Sequence, residues 1–399
     1  MKYLVLVCII ILMFCANSQH SIAQSTFNLY ARMAGNLQLW DGSNTDVWGF
    51  VDEFGETAAL PGPTIIVREG ELVTLNVTNQ SPLAHTVHLH GLDVDQMNDG
   101  VPQTSFEIPG MMGTGTYTFI APHAGTYMYH CHVESVVHFQ MGMYGAIIVT
   151  PSDGSQTAWT GGPAYDKEYL WMSSEVDVNW HESPPSGKDV PLYHPQYFLV
   201  NGKSKQQLSA ADVAIEAVKE DVVLIRIANA GYGVHKYCFP SQLNATVVSS
   251  DGRPLPIFDQ RDTVEIFPGE RYMVVLDPDS SFNGIVNVAY FDMYDDDMLF
   301  NNEIPVKFDE ATNTSAVNIN FQVRVSPNPA STLLRVAVTP DPNSLKRLSV
   351  YDLNGIRLLT QSFNSSSIEL DTRGLPAGQY ILQIRNEFSV KSVPIFLTN

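Results

Sequence analysis

Two short segments of this chain concentrate the side chains that hold soft transition metals. One reads His85-Thr-Val-His88-Leu-His90-Gly91. The other reads His130-Cys131-His132 and runs on through His138, Met141 and Met143. Seven of the 11 histidines fall between positions 85 and 138, and a thiol sits between two of them. Two imidazoles, a thiolate and a weakly bound thioether make the blue-copper type of site, and further imidazoles suit further copper ions. Side chains at i and i+2 of a strand share a face. His88 and His90 therefore point one way, and His130 and His132 do the same on a second strand. Cys131 points the other way, and so does His85 by its odd spacing. Parity thus divides the donors into two sites joined through the Cys131 backbone. One holds His85, Cys131, His138 and a methionine. The other holds four imidazoles. Met143 is the expected axial donor with Met141 its competitor, since both have the same parity. Gly142 and Gly145 permit a tight loop after His138.

The elements that must position these residues read as strands. Short runs rich in Val, Ile, Thr and Tyr alternate with Gly, Pro, Asn and Asp turns, and no long helical periodicity appears. Leu72–Val77, Tyr117–Ile120, Thr126–His132 and Ala146–Thr150 read as strands of a first sandwich. Pro151 to about Lys167 reads as a linker. Val222–Asn229, Ala245–Ser249, Thr263–Phe267 and Tyr272–Leu276 belong to a second β block, with a turn at Pro268-Gly269. The acidic stretch Asp292–Asp297 reads as a solvated loop. After a break near 311–315 comes a small module in which Asn354-Gly355 marks a hairpin. The expected division is 1–23, 24–152, 153–312 and 320–399.

Residues 1–23 read as an export signal: Lys2, an apolar run from Leu4 to Phe14, then Ser21-Ile22-Ala23 as the cleavage pattern. That run is too short to span a bilayer, and no other segment is apolar enough to do so. Cys131 and Cys238 remain after cleavage, too few for a disulfide scaffold. Cys238 reads as a buried thiol. The net charge of −20 argues against nucleic acid and anionic membranes as partners.

The motifs "LPGPTIIVREGE", "HLHGLDVDQMNDGVPQT", "GTYMYHCH" and "MGMYGAIIV" resemble the copper domains of multicopper oxidases. "VVLIRIANAGY", "VVSSDGRPLP" and "IFPGERYMVVLDP" resemble the copper-free middle domain of laccases. The resemblance implies an all-β fold of two cupredoxin-like Greek-key sandwiches. It implies copper as cofactor, with His85, Cys131, His138 and Met143 at type 1 copper and His88, His90, His130 and His132 at the type 2/type 3 cluster. Asp99 in "DGVPQT" resembles the acid that supports proton delivery to oxygen; a plain turn role is its alternative. His123 has no matching role and reads as a surface residue. The implied activity is one-electron oxidation of a phenol, amine or Cu(I) donor coupled to reduction of oxygen. Pro327-Asn328-Pro329, "SVYDLNGIRLL" and "LPAGQYILQI" resemble the C-terminal sorting domain of type IX secretion cargo. That likeness implies a small immunoglobulin-like sandwich, the type IX secretion machinery as partner, and a secreted or cell-surface location.

The histidine count departs from that family. A complete cluster there takes eight imidazoles; the first sandwich carries four, and the second block has only His181, His194 and His235, none in a His-x-His pair. Two copies of the first sandwich are therefore expected to meet in a homo-oligomer and close one cluster between them. The alternatives are a two-domain copper nitrite reductase, with His235 or His194 of a neighbour as the third ligand beside His90 and His130, and a non-catalytic electron carrier. Six of the 13 methionines lie between 97 and 143. Thioethers suit Cu(I), but those other than Met141 and Met143 are expected to serve packing.

Overall fold

The computed structural model describes residues 23–186, 191–310, 322–339, 346–352, 357–385 and 390–398. The expected export signal lies outside the described residues but for Ala23, and so do the break at 311–315 and the Asn354-Gly355 turn.

The all-β expectation holds. The first sandwich is built from β1 (Gln24–Arg32), β2 (Asn36–Gln38), β3 (Asn44–Asp46), β4 (Gly49–Val51), β5 (Ile65–Arg68), β6 (Leu72–Asn79), β7 (His88–His90), β8 (Gly113–Ile120), β9 (Gly125–His130) and β10 (Tyr144–Thr150), with helix α1 (Ser135–Gln140) between the last two. Two four-stranded sheets, β4–β1–β6–β8 and β5–β10–β9–β7, face each other. In β6, Val73, Leu75 and Val77 turn inward and their neighbours outward, the alternation of a sheet with one solvated face. These side chains pack with Leu29, Phe50, Ile65, Tyr117, Tyr129 and Ile147 into one core.

The second sandwich comprises β11 (Lys167–Val176), α2 (Val178–Glu182), β12 (Tyr197–Val200), β13 (Ile215–Val218), β14 (Val223–Asn229), β15 (Val234–Cys238), β16 (Thr246–Ser250), β17 (Arg253–Gln260), β18 (Thr263–Ile266), β19 (Arg271–Leu276), β20 (Phe282–Phe291) and β21 (Met298–Asp309). Its sheets run β12–β11–β14–β19–β16–β17 and β13–β21–β20–β15–β18. Pro268-Gly269 joins β18 to β19 and carries the chain from one sheet to the other, Gly269 taking φ +83°. The acidic stretch 292–297 is mostly exposed. A three-stranded and a four-stranded sheet follow between Gln322 and Leu397. There Lys346–Tyr351 and Arg357–Phe363 pair antiparallel on either side of Asn354-Gly355, as its hairpin signal predicts.

Three local expectations need correction. The strand expected to reach His132 ends at His130, so Cys131 and His132 step off the regular ladder. His138 itself lies on the short helix α1, which is capped by Met141 before Gly142 turns the chain at φ +110°. The Gly/Ser/Pro-rich stretch 151–167 is not a free linker. Ala158 and Tyr165 are buried against Val222, Leu224 and Met273, apolar anchors that the turn-rich composition conceals.

Strand β9 is buried along its whole length because it is covered on both sides. Tyr127, Tyr129 and Cys131 enter the first core. Met128 faces the second sandwich, where it packs with Tyr144, Ala146, Met172, Val176 and Ala228. That division of faces positions the two donor sets.

Candidate metal centres

The division by parity survives in three dimensions. His85, Cys131 and His138 bring their ligand atoms together, as do His88, His90 and His130; within each group every ligand atom lies within 4.8 Å of the others.

The first group sits inside the core. Nδ1 of His85 lies 3.4 Å and Nδ1 of His138 3.2 Å from Cys131 Sγ, and all three residues are buried to within 1%. The far nitrogen of His85 lies 2.7 Å from Ser81 Oγ. The Ser81 hydroxyl has acceptors of its own in Asn79 Oδ1 at 2.8 Å and the Leu83 carbonyl at 3.1 Å. It can therefore accept from His85 Nε2–H, which leaves the Nδ1 lone pair facing the sulfur. Trp48 sets its ring edge against His138, whose Nε2 is buried and bonded to no protein atom. Burial holds the His85 imidazole down near a pKa of about 3, helped by His138, and holds His138 near about 4. Both are uncharged at neutral pH, with lone pairs free for a cation. Burial pushes the Cys131 thiol up to about 12. A thiolate there needs a positive partner, and a soft divalent cation between the three atoms supplies one. Met141 and Met143 are both fully buried in the same core. The Cys131 amide donates to the Met143 carbonyl at 3.0 Å, one step beyond the Tyr144–His130 register pair. Cross-strand partners share a face, which favours Met143 as the fourth donor. The residues fit copper of the blue type.

A testable consequence concerns Ser81. Ser81→Ala removes the partner that orients His85 and should weaken copper at this group by roughly 10–100-fold, as loss of such outer partners does elsewhere. Competition titration against a chelator measures it.

The second group lies on the opposite side, against the second sandwich. His88 Nδ1 is 2.8 Å from the Asp99 carbonyl and 3.3 Å from the Asp99 carboxylate. His130 Nδ1 is 3.0 Å from the Cys131 carbonyl. Both rings thus turn their Nε2 atoms outward from backbone anchors. His90 Nδ1 lies 3.3 Å from His130 Nε2. Burial lowers His130 to about 3 and His90 to about 4, the latter with help from Arg271 of the second sandwich. His132 lies beside the trio. Its ring centroid is 5.2 Å from that of His88 and 5.9 Å from that of His130, spacings like the 5.0 to 5.6 Å within the trio, and its amide donates to Thr86 Oγ1. His123 is half-exposed between Glu69 and Asp93, away from both groups, in keeping with a surface role. Cys238 is a half-buried free thiol, and Cys131 is free as well.

The second sandwich repeats this plan with different side chains. Asn79 Nδ2 bonds the Leu83 and Ile108 carbonyls while its Oδ1 accepts from the amide two residues on. Asn229 does the same with Gly233, Ile266 and Gly231. The register pair His88–His130 of β7 and β9 corresponds to Cys238–Asn287 of β15 and β20. By the same count His235 stands where His85 does, Val288 where Cys131 does, Pro240 where His90 does and Ala289 where His132 does. His235 is fully buried, 2.7 Å from Ser173 Oγ and 2.5 Å from Glu175 Oε1, so it is closed to a neighbouring subunit. His181 is likewise buried, between the Asp46 and Gln140 carbonyls, whereas His194 is exposed.

Comparison with known proteins agrees with this geometry. Residues 38–154 and 171–327 each match a multicopper oxidase family model, and residues 324–395 match that of a secretion system C-terminal sorting domain. The sorting domain indicates export, to the cell surface or beyond it; among the described residues no helix is long and apolar enough to cross a membrane. A blue copper oxidase from Nitrosomonas europaea superposes with a TM-score of 0.58 at 30% identity, over 72% of this chain and 86% of that one. The multicopper oxidase mgLAC does so at 0.56 and 30% identity, over 68% and 80%. A copper-containing nitrite reductase from Alcaligenes xylosoxydans xylosoxydans is 28% identical over 44% of this chain and 58% of its own length. The chain spans less than two thirds of the length of curated relatives such as that reductase, at 58%, and a copper resistance protein A of Escherichia coli, at 19%. With two buried imidazoles around a thiol, a facing group of imidazoles and two matching domains, this chain belongs to the multicopper oxidase family, whose cofactor is copper.

Proposed function

We propose that this protein is an exported oxidase in which His85, Cys131, His138 and Met143 hold type 1 copper within one chain, while His88, His90, His130 and His132 form half of an oxygen-reducing copper cluster. A small reducing donor, a phenol, an amine or Cu(I), gives single electrons at the first site. Bound copper supplies the one-electron chemistry that side chains alone lack. The chain's own residues do the rest. The core excludes water from the Cys131 thiolate, and Ser81 orients His85. Cys131 joins the two sites covalently through its neighbours His130 and His132. Asp99, against His88 Nδ1, holds that ring and stands where a proton can be passed toward oxygen.

The observation that carries this reading is the pairing of one complete donor set with one half set. The second sandwich presents Cys238, Pro240, Asn287 and Ala289 where the first presents four imidazoles, so a head-to-tail contact adds no second His-x-His pair. Only a self-complementary, twofold contact brings a second His-x-His pair of pairs to the first. Met97, Met111 and Met112 are 60%, 81% and 52% exposed, so packing does not account for them. The amides of Met111 and Met112 donate to the Ser81 and Asn79 carbonyls, which holds both residues against the segment leading into His85. Their soft thioethers support Cu(I) among the donors.

Copper per subunit, measured beside oxygen and nitrite consumption with a generic donor, tests the proposal. More than one copper per subunit with oxygen uptake is expected. One copper and no turnover means an electron carrier; nitrite consumption means a reductase, whose third ligand would then be the exposed His194 of a neighbour, since His235 is deeply buried.

A further inference from the structure

A run of aromatic rings leads away from His130. Phe139 sets its edge against the His130 ring, 5.1 Å between centroids, and stacks across the boundary between sandwiches on Tyr232 at 6.2 Å. Tyr232 meets Tyr193 at 5.1 Å, and Tyr193 meets Trp180 at 5.5 Å. Tyr193 and Tyr232 are half-buried. The Tyr193 hydroxyl lies 3.4 Å from Oε2 of Glu175, a fully enclosed carboxylate. Glu175 also accepts from the amides of Tyr232 and Gly233 and pairs with His235. Burial alone would push this carboxyl up, but His235 and the two amides outweigh it and hold the group below its ordinary value. It is therefore ionised at neutral pH, a weak base that takes a proton only from a much stronger acid. Ring packing would be served as well by phenylalanine, although the Tyr232 hydroxyl also donates to the Val136 carbonyl. What the sequence supplies instead is two phenols in series, with a proton acceptor at the outer one.

We propose that Tyr232 and Tyr193 form a relay that draws a stray oxidising equivalent off the histidine cluster and delivers it to a small reductant at the surface of the second sandwich. The proposal rests on the reading that the cluster handles oxygen. The oxidant is a peroxide-level species left when donor electrons run short. Tyr193 loses one electron, which passes through Tyr232 and across Phe139 to that oxidant. An oxidised phenol is a strong acid, so its proton moves to Glu175. The resulting radical takes one electron from a thiol- or ascorbate-class reductant and recovers its proton from Glu175. The net change is one-electron oxidation of the reductant and one-electron reduction of the oxidant. Electron tunnelling falls steeply with distance, so the ring contacts decide the route. Tyr193 and Tyr232 touch none of the proposed copper ligands.

The test uses the copper-loaded full chain. Peroxide is added without donor, and samples frozen within milliseconds to seconds are examined by electron paramagnetic resonance. A tyrosyl signal is expected in the parent protein. It should fall to background in Tyr193→Phe and weaken in Tyr232→Phe, both of which keep the ring. It should persist in Tyr294→Phe, a fully exposed tyrosine away from the run. No tyrosyl signal in the parent, or an undiminished one in Tyr193→Phe, overturns the relay. Oxygen uptake with donor, measured on the same samples, keeps the two ideas apart. Uptake with an unaltered radical signal sinks the relay alone. A Tyr193-dependent signal without uptake supports the relay and sinks the oxidase reading.

Discussion

Cys131→Ser is expected to abolish the visible absorption of the copper-loaded protein and its oxidation of any donor, while the chain still folds. The Cys131 sulfur is the soft atom that His85 Nδ1 and His138 Nδ1 both face, at 3.4 and 3.2 Å, and it becomes the anionic donor when copper binds. A serine oxygen is nearly the same size but a hard donor, and it gives no low-energy transfer of charge to copper. The structural cost is small. A buried hydroxyl without a good partner costs about 1–3 kcal/mol, within the reserve of an ordinary domain. Absorption spectra before and after copper loading, with circular dichroism as the control for folding, check the result. If the visible band survives, the thiolate lies elsewhere. Cys238 is the only other free cysteine among the described residues, and it stands where His88 does; where the first sandwich has Cys131 and His85 the second has Val288 and His235.

The second large effect should separate the two sites. His88→Ala combined with His132→Ala is expected to leave the visible band in place and to bring oxygen uptake down to background. Both rings lie on the side of Cys131 away from the His85–His138 pair. Neither contributes an atom to the first group, so its tautomers and burial are unchanged. On the cluster side, His88 is the ring that Asp99 holds, and the ring that both His130 and His132 face at 5.0 and 5.2 Å. Paired measurement of the visible band and of oxygen uptake decides the matter. Joint loss of both signals means that the sites are not independent; unchanged uptake means that these imidazoles do not hold the reactive metal.

Much of this was legible in the chain because strand parity is strict. His88-x-His90 and His130-Cys131-His132 can only divide one way if they lie on paired strands, and β7 and β9 are paired with His88 opposite His130. Strand positions were legible for the same reason: Val73, Leu75 and Val77 alternate with polar residues. What was hidden depends on distant contacts. Parity places His132 with His88, His90 and His130, and its ring does lie 5.2 Å from that of His88, but β9 stops at His130, so His132 reaches that side from off the ladder. The helix carrying His138 is too short for periodicity to show. The repeat between sandwiches is masked because almost every donor has been replaced. Asn79-to-His85 and Asn229-to-His235 share their spacing, but only the paired hydrogen bonds of the two asparagines make the likeness plain. Glu175, Tyr193 and Tyr232 come together from separate segments, and no local pattern marks them. The exposed Met111 and Met112 run against the packing expectation, because their left-handed backbone turns the side chains out to solvent.

The central claim is that type 1 copper is complete in one chain and the oxygen site is not. Oxygen uptake per subunit, followed as the protein is diluted through the concentration at which sedimentation shows it becoming monomeric, tests this most directly. Dissociation by mass action should bring uptake per subunit down to background while the visible absorption per subunit stays constant. Undiminished uptake from a demonstrated monomer would contradict a shared cluster.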